Sequence, residues 1–222
     1  MVNFLLLKSK NIIRKIQFYF RDRLINPKYR ERLKNRDFSI ISNDCIGGVI
    51  CKDLRCRFSS PTVNFFFMSA DYIKFVTKIT EYVKSDNLKD VTAEGDAYPR
   101  VSIEIEGESI VAYCVHYKSA EEFIRKWNER KTRINYENCF FIMNDRNGFK
   151  EEHLKAFEAL PYKNKVCFVH RPYPEYPSAF YIKGAEKEES VKTMTGYEPV
   201  FGIKRRYDAF DFVSWFNSGI EK

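Results

Sequence analysis

The sequence predicts an α/β domain. Its expected form is a mostly parallel central sheet with helices on both faces and one antiparallel hairpin, preceded by an N-terminal amphipathic helix. Three observations predict it. Short apolar runs alternate with segments of helical periodicity, the pattern of a sheet covered on both sides. Two strand-like runs, 101–105 and 110–115, flank Glu106-Gly107-Glu108, which reads as a hairpin turn. Residues 4–24 mix apolar and basic side chains at helical spacing before the alternation begins.

The elements follow in order. On a helical wheel of about 100° per residue, Leu6, Ile13, Ile16, Phe20 and Leu24 fall on one side, with Leu5, Ile12 and Tyr19 adjoining. Lys8, Lys10, Arg14, Lys15 and Arg21 fall mostly opposite. Asn26-Pro27 ends this helix, and 28–36 reads as a second, short basic helix. Residues 38–41 read as a buried strand and 49–57 as a helix. Pro61 opens a strand over 62–68, and Ser69 is a plausible N-cap for a helix over 71–83. Residues 85–99 are polar and loop-like. Ser119 and Glu122 form a capping-box pattern that starts a helix to about Arg133. Strands at 139–143 and 166–169 enclose a helix over 151–160. The Pro-rich 171–177 is extended, 179–182 is an edge strand, and 207–217 is a terminal helix.

The 222-residue length fits one domain, read as a basic helical arm at 1–36 and a single α/β domain at 37–222. The net charge is +8, yet residues 1–36 alone carry 11 Lys or Arg against Asp22 and Glu31, so the remainder sums to −1. A near-neutral body argues against a nucleic-acid partner. The arm has two readings. It lies in the interface of an anionic membrane, or it packs on the domain or on a partner subunit. Residues 1–7 lack the charge order and cleavage pattern of a signal peptide. No stretch approaches the roughly 18 apolar residues of a membrane span. The six cysteines contain no C-x-x-C pair, so neither a disulfide scaffold nor a zinc site is expected, and the expected compartment is the cytoplasm.

In covered parallel sheets, ligands bind beyond the carboxyl ends of the strands. Polar residues follow strand-like runs at Asn43-Asp44-Cys45, His116-Tyr117, Asn144-Asp145-Arg146 and His170-Arg171. Gly47 and Gly48 after the first cluster suit a close backbone approach of a ligand to a helix start. Cys45 reads as a nucleophile whose thiol the helix start activates, or as filler for a small pocket. His116 reads as its base, with Asp44 or Asp145 orienting the histidine. Arg130 and Arg133 suit a donor phosphate or carboxylate, or form a solvated basic face. No Asp-x-Asp, G-x-G-x-x-G, P-loop or G-x-S-x-G occurs.

The ordered set Ser42-Asn43-Asp44-Cys45-Ile46-Gly47-Gly48, Ser60-Pro61-Thr62, Asp71-Tyr72-Ile73-Lys74, His116-Tyr117-Lys118-Ser119-x-x-Glu122, Trp127, Arg130 and Arg133-Ile134-Asn135 resembles a known pattern. It is similar to the bacterial family of unknown function numbered 1919, whose members are often labelled exopolysaccharide biosynthesis proteins. The similarity runs from about Phe38 to Phe216 and leaves out the first 36 residues. The family pattern often has an aromatic after the cysteine, where this chain has Ile46. The Asn43-Asp44-Cys45 turn also resembles the Gly-Asn-Cys-Gln turn of some capsule acetyltransferases, which use a histidine partner and coenzyme A. This chain has one residue more between Asn and Cys.

The resemblance implies work in surface-polysaccharide assembly at the inner face of the cell membrane. The expected role is a transferase of acyl or glycosyl type acting on a sugar precursor. Its catalytic residues would be Cys45, His116 and Asp44. Asn43, Gly47, Gly48, Arg130, Arg133, Asn135, Asp145 and Arg146 would hold substrate or donor. The donor stays open between coenzyme A esters and nucleotide sugars, with no metal expected. The rival reading is a non-catalytic module that binds polysaccharide or an assembly partner.

Overall fold

The structure, a computed structural model, describes residues 2–199 and 201–220. The side chains of the first ten residues, including Leu5, Leu6, Lys8 and Lys10 of the expected wheel, lie outside that description. Two four-stranded sheets stand where one was expected. The first is fully parallel. It contains β1 (Ser39–Ser42), β6 (Cys139–Asn144), β7 (Lys165–Val169) and β8 (Ala179–Tyr181), side by side in that order. The second is antiparallel. The predicted hairpin, β4 (Arg100–Ile105) and β5 (Glu108–Tyr113), forms its centre, with β2 (Phe66–Phe67) and β3 (Leu88–Asp90) on its edges. The two sheets meet where the Phe67 N–H donates to the Asn43 carbonyl at 2.9 Å.

Helices cover both faces of the parallel sheet because its strands alternate large apolar side chains to either side. Ile40, Phe140, Ile142 and Phe168 pack against α3 (Ile46–Leu54) and α8 (Phe212–Asn217). Ile41, Phe141, Met143 and Cys167 face the other core. That core holds α4 (Ser69–Thr77), α5 (Ile79–Lys84), α6 (Ala120–Lys131), α7 (Glu151–Glu158) and the inner face of the antiparallel sheet. Ser119 caps α6 as expected, its side chain accepting from the Glu122 N–H. Ser69 does not cap α4: Met68 holds the N-cap position, and the Ser69 hydroxyl donates to the Arg146 carbonyl.

At the N-terminus, α1 (Val2–Leu24) turns into α2 (Asn26–Arg32). The basic side of α1 was expected to face water, but its Arg21 is fully buried. Arg21 Nε donates to Asp53 at 2.8 Å, and its two other nitrogens donate to Asp208 at 2.6 and 2.8 Å. Two carboxylates far apart in sequence turn that face inward.

Candidate functional site

Three of the four polar clusters share one rim. The ladder continues past the strand ends, with the Asn43 N–H donating to the Ile142 carbonyl and the Asp145 N–H to Phe168, both at 3.1 Å. The ends of β1, β6 and β7 therefore present Asn43-Asp44-Cys45, Asn144-Asp145-Arg146 and His170 together. The side chains of Asn43 and Asn144 are fully buried there. Asn43 Nδ2 donates to the Asn144 carbonyl at 3.3 Å, and Asn144 Nδ2 donates to Asp44 at 2.9 Å. The side-chain oxygens of both asparagines are buried without a partner among the described residues. Orphaned buried acceptors are uncommon.

Asp44 is half-buried and accepts from the Ile46 N–H at 2.9 Å as well as from Asn144. Burial raises its pKa against the lowering effect of those two hydrogen bonds and of the Arg146 charge. Cys45 departs from the activated thiol expected of it. Burial pushes its thiol up to about 12, with Asp44 adding to the rise and Arg146 opposing it. Its Sγ donates 3.7 Å to the Phe65 carbonyl. Loss of water, followed by the adjacent carboxylate, disfavours the thiolate at this helix start. Iodoacetamide labelling of Cys45 near neutral pH is therefore expected to be slower than that of free cysteine, accelerating only in alkali. Fast neutral labelling of this residue, read by mass spectrometry, would overturn that assignment.

A histidine does meet Asp145, but it is His170 rather than His116. His170 Nδ1 lies 2.5 Å from Asp145 Oδ2, which also accepts the His170 backbone N–H at 2.7 Å. The other Asp145 oxygen accepts the Val191 N–H at 2.7 Å. Both Asp145 oxygens are thus engaged within the chain. Donation from Nδ1 leaves the imidazole Nε2 as the acceptor nitrogen. The next residue, Arg146, donates to the Thr193 hydroxyl at 3.0 Å. It lines a cavity of about 600 Å³ with Lys187, Lys192, Arg206, Glu188 and Glu189. Sequence reasoning placed His170 among the rim clusters without a catalytic role and did not single out Arg206. The signal for His170 was its place after a strand, the same signal that selected Asp145.

The remaining expected residues do other work. His116 follows β5 in the antiparallel sheet, is exposed, and makes no hydrogen bond to Cys45 among the described residues. It lines a larger groove with Arg14, Lys15 and Tyr19 of α1 and with Thr193 and Arg206. Gly47 and Gly48 serve packing. A Cβ on Gly47 would meet Ser42 Oγ at 2.8 Å and Ile40 at 2.9 Å, and one on Gly48 would meet Val63 at 2.9 Å. Arg130 is buried, donating to Tyr117 Oη at 2.8 Å with its guanidinium over the Phe58 ring. Arg133 pairs with Glu129 at 2.6 Å. The Asn135 N–H donates to Ser39, the first residue of β1, and its side chain donates to Asp37. Asn135 therefore sits at the opposite end of the sheet from the rim. It must do so, because α6 returns the chain to the start of the parallel strand β6. Among the described residues, no group of three His, Cys, Asp or Glu is placed to hold a metal ion.

The family described as "Domain of unknown function (DUF1919)" matches residues 15–217. The chain belongs to this family. A Haemophilus influenzae protein described as uncharacterised is 36% identical over 210 residues, covering 95% of this chain and 97% of that protein. The match begins inside α1, earlier than the resemblance read from Phe38 onward. That earlier start accords with Arg21, which ties α1 to Asp53 of α3.

Proposed function

We propose that the chain is a transferase of bacterial surface-polysaccharide biosynthesis, acting on a sugar precursor with a phosphate-bearing donor. The polysaccharide setting rests on the family resemblance. The chemistry rests on one observation: an Asp145–His170 pair, the cation of Arg146 and the Asp44 carboxyl, whose pKa burial raises, occupy a single rim. In this reading His170 Nε2 takes the proton of an acceptor hydroxyl as its oxygen attacks the donor carbon. Arg146 and the neighbouring cations hold the donor's diphosphate, a group common to coenzyme A esters and nucleotide sugars. Asp44 returns a proton to the leaving group. Cys45 takes no covalent part, since its thiol stays protonated.

The test is turnover of acyl-coenzyme A and nucleotide-sugar panels with oligosaccharide acceptors. His170→Asn should lower kcat by about 10²–10⁴-fold with donor affinity kept. Arg146→Ala should mainly raise the donor KM. Donor or glycan binding without turnover, equal in the parent and His170→Asn, would favour the non-catalytic module.

A further inference from the structure

We propose that the outward face of α1 docks on an anionic membrane surface. Ile12, Ile16, Phe20 and Leu24 recur at every fourth residue, and with Tyr19 they are 46–58% exposed. A contiguous apolar stripe of this kind marks an interaction surface. The helix cannot roll to bury it, because the opposite face is fixed. Arg21 is buried among Asp53, Asp208 and Tyr207, Gln17 Nε2 donates to the Gly202 carbonyl at 2.7 Å, and the Lys52 ammonium lies over the Phe18 ring. The helix is too polar to cross a bilayer. It therefore suits the interface plane, with its apolar side chains at the boundary between headgroups and acyl chains.

Charge selects the occupant. Lys15 and Arg23 are exposed on or beside the stripe, and Arg14 and Lys28 are exposed nearby. Residues 1–36 carry a net charge of +9, of which Asp53, Asp208 and Asp211 neutralise the share held by Arg21 and Arg32. A second copy of the chain would bring two such segments face to face, and like charges repel. An anionic bilayer turns the exposed Arg14, Lys15, Arg23 and Lys28 into attractions, each strengthening binding by about fivefold. Lys15 and Tyr19 also line the groove that Arg206 and His116 share, so a docked helix opens that groove at headgroup level. The proposal stands apart from the reaction at the rim, and its test involves no turnover.

The full chain is sedimented with vesicles of phosphatidylcholine alone and of phosphatidylcholine with phosphatidylglycerol. Binding is expected to the anionic vesicles only and to weaken with added salt. Ile16→Ser with Phe20→Ser, both at exposed positions, should lower the partition coefficient by about tenfold or more with the circular-dichroism spectrum unchanged. Lys15→Glu with Arg23→Glu should lower it by about 25-fold or more. Undiminished binding by the serine variant, or equal binding to neutral vesicles, would overturn the proposal. So would a parent dimer that the serine variant converts to monomer without any vesicle binding, which would assign the stripe to a second copy.

Discussion

Asp53→Ala is expected to destabilise the fold by about 3–5 kcal/mol, because it breaks a buried ion network rather than a surface pair. Arg21 and Asp53 have no exposed side-chain surface, and Arg205 joins the same carboxylate oxygen at 3.0 Å with little more. The Tyr207 hydroxyl donates to that oxygen as well. Burial alone would lower the Arg21 pKa. Its hydrogen bond to Asp208 and the charges of Asp208 and Asp53 outweigh burial and raise it. Removing Asp53 strands two guanidinium groups away from water with one carboxylate, Asp208, left to Arg21. The melting temperature should fall on the order of 10 °C. The contrasting pair is Arg32 with Asp211, at 2.6 Å but with both side chains about half exposed. Arg32→Ala should cost less than about 1 kcal/mol through that pair. Thermal unfolding followed by circular dichroism reads both. Equal melting temperatures for the parent and Asp53→Ala would remove the network from the account of why α1 stays docked.

Which features were legible follows from where their physical signal lies. Strands β1, β6 and β7 were legible because buried parallel strands are near-continuous apolar runs, and the polar residues that end them marked the rim. Strand β3 was not. Leu88 is only half-buried and Lys89 and Asp90 are exposed, so an edge strand carries no alternation to read. The break between α4 and α5 falls at Lys78, without the Gly or Pro that announces one. Arg21 looked like one cation on a solvated face, since its carboxylate partners lie 32 and 187 residues away. His116 and His170 follow strands equally well in sequence. Only strand order separates them, because β5 belongs to the antiparallel sheet and β7 to the parallel one. Arg133 and Asn135 illustrate a topological rule left unapplied: a helix leading into a parallel strand ends at that strand's amino end.

Asp44→Asn should lower turnover by about 10²–10⁴-fold and at the same time stabilise the protein near neutral pH. Burial leads the effects that raise the Asp44 pKa above its unfolded value. The carboxyl's contribution to stability is therefore fully present below the unfolded carboxylate value, about 3.9. It is lost as pH rises through the raised folded value. An amide has no charge to bury. The variant's advantage over the parent should be small in acid and largest near neutrality. Geometry allows the exchange. The new side-chain oxygen keeps the Ile46 N–H, and Asn144 can turn its amide to offer the oxygen that now lacks a partner. Melting temperatures of the two proteins across weakly acid to neutral buffers check the sign, and a gain independent of pH would refute the buried-charge argument. Turnover is a separate reading. A more stable variant that still works would take Asp44 out of the chemistry, whereas a more stable and inactive one has the signature of a carboxylate kept for function at a cost to the fold.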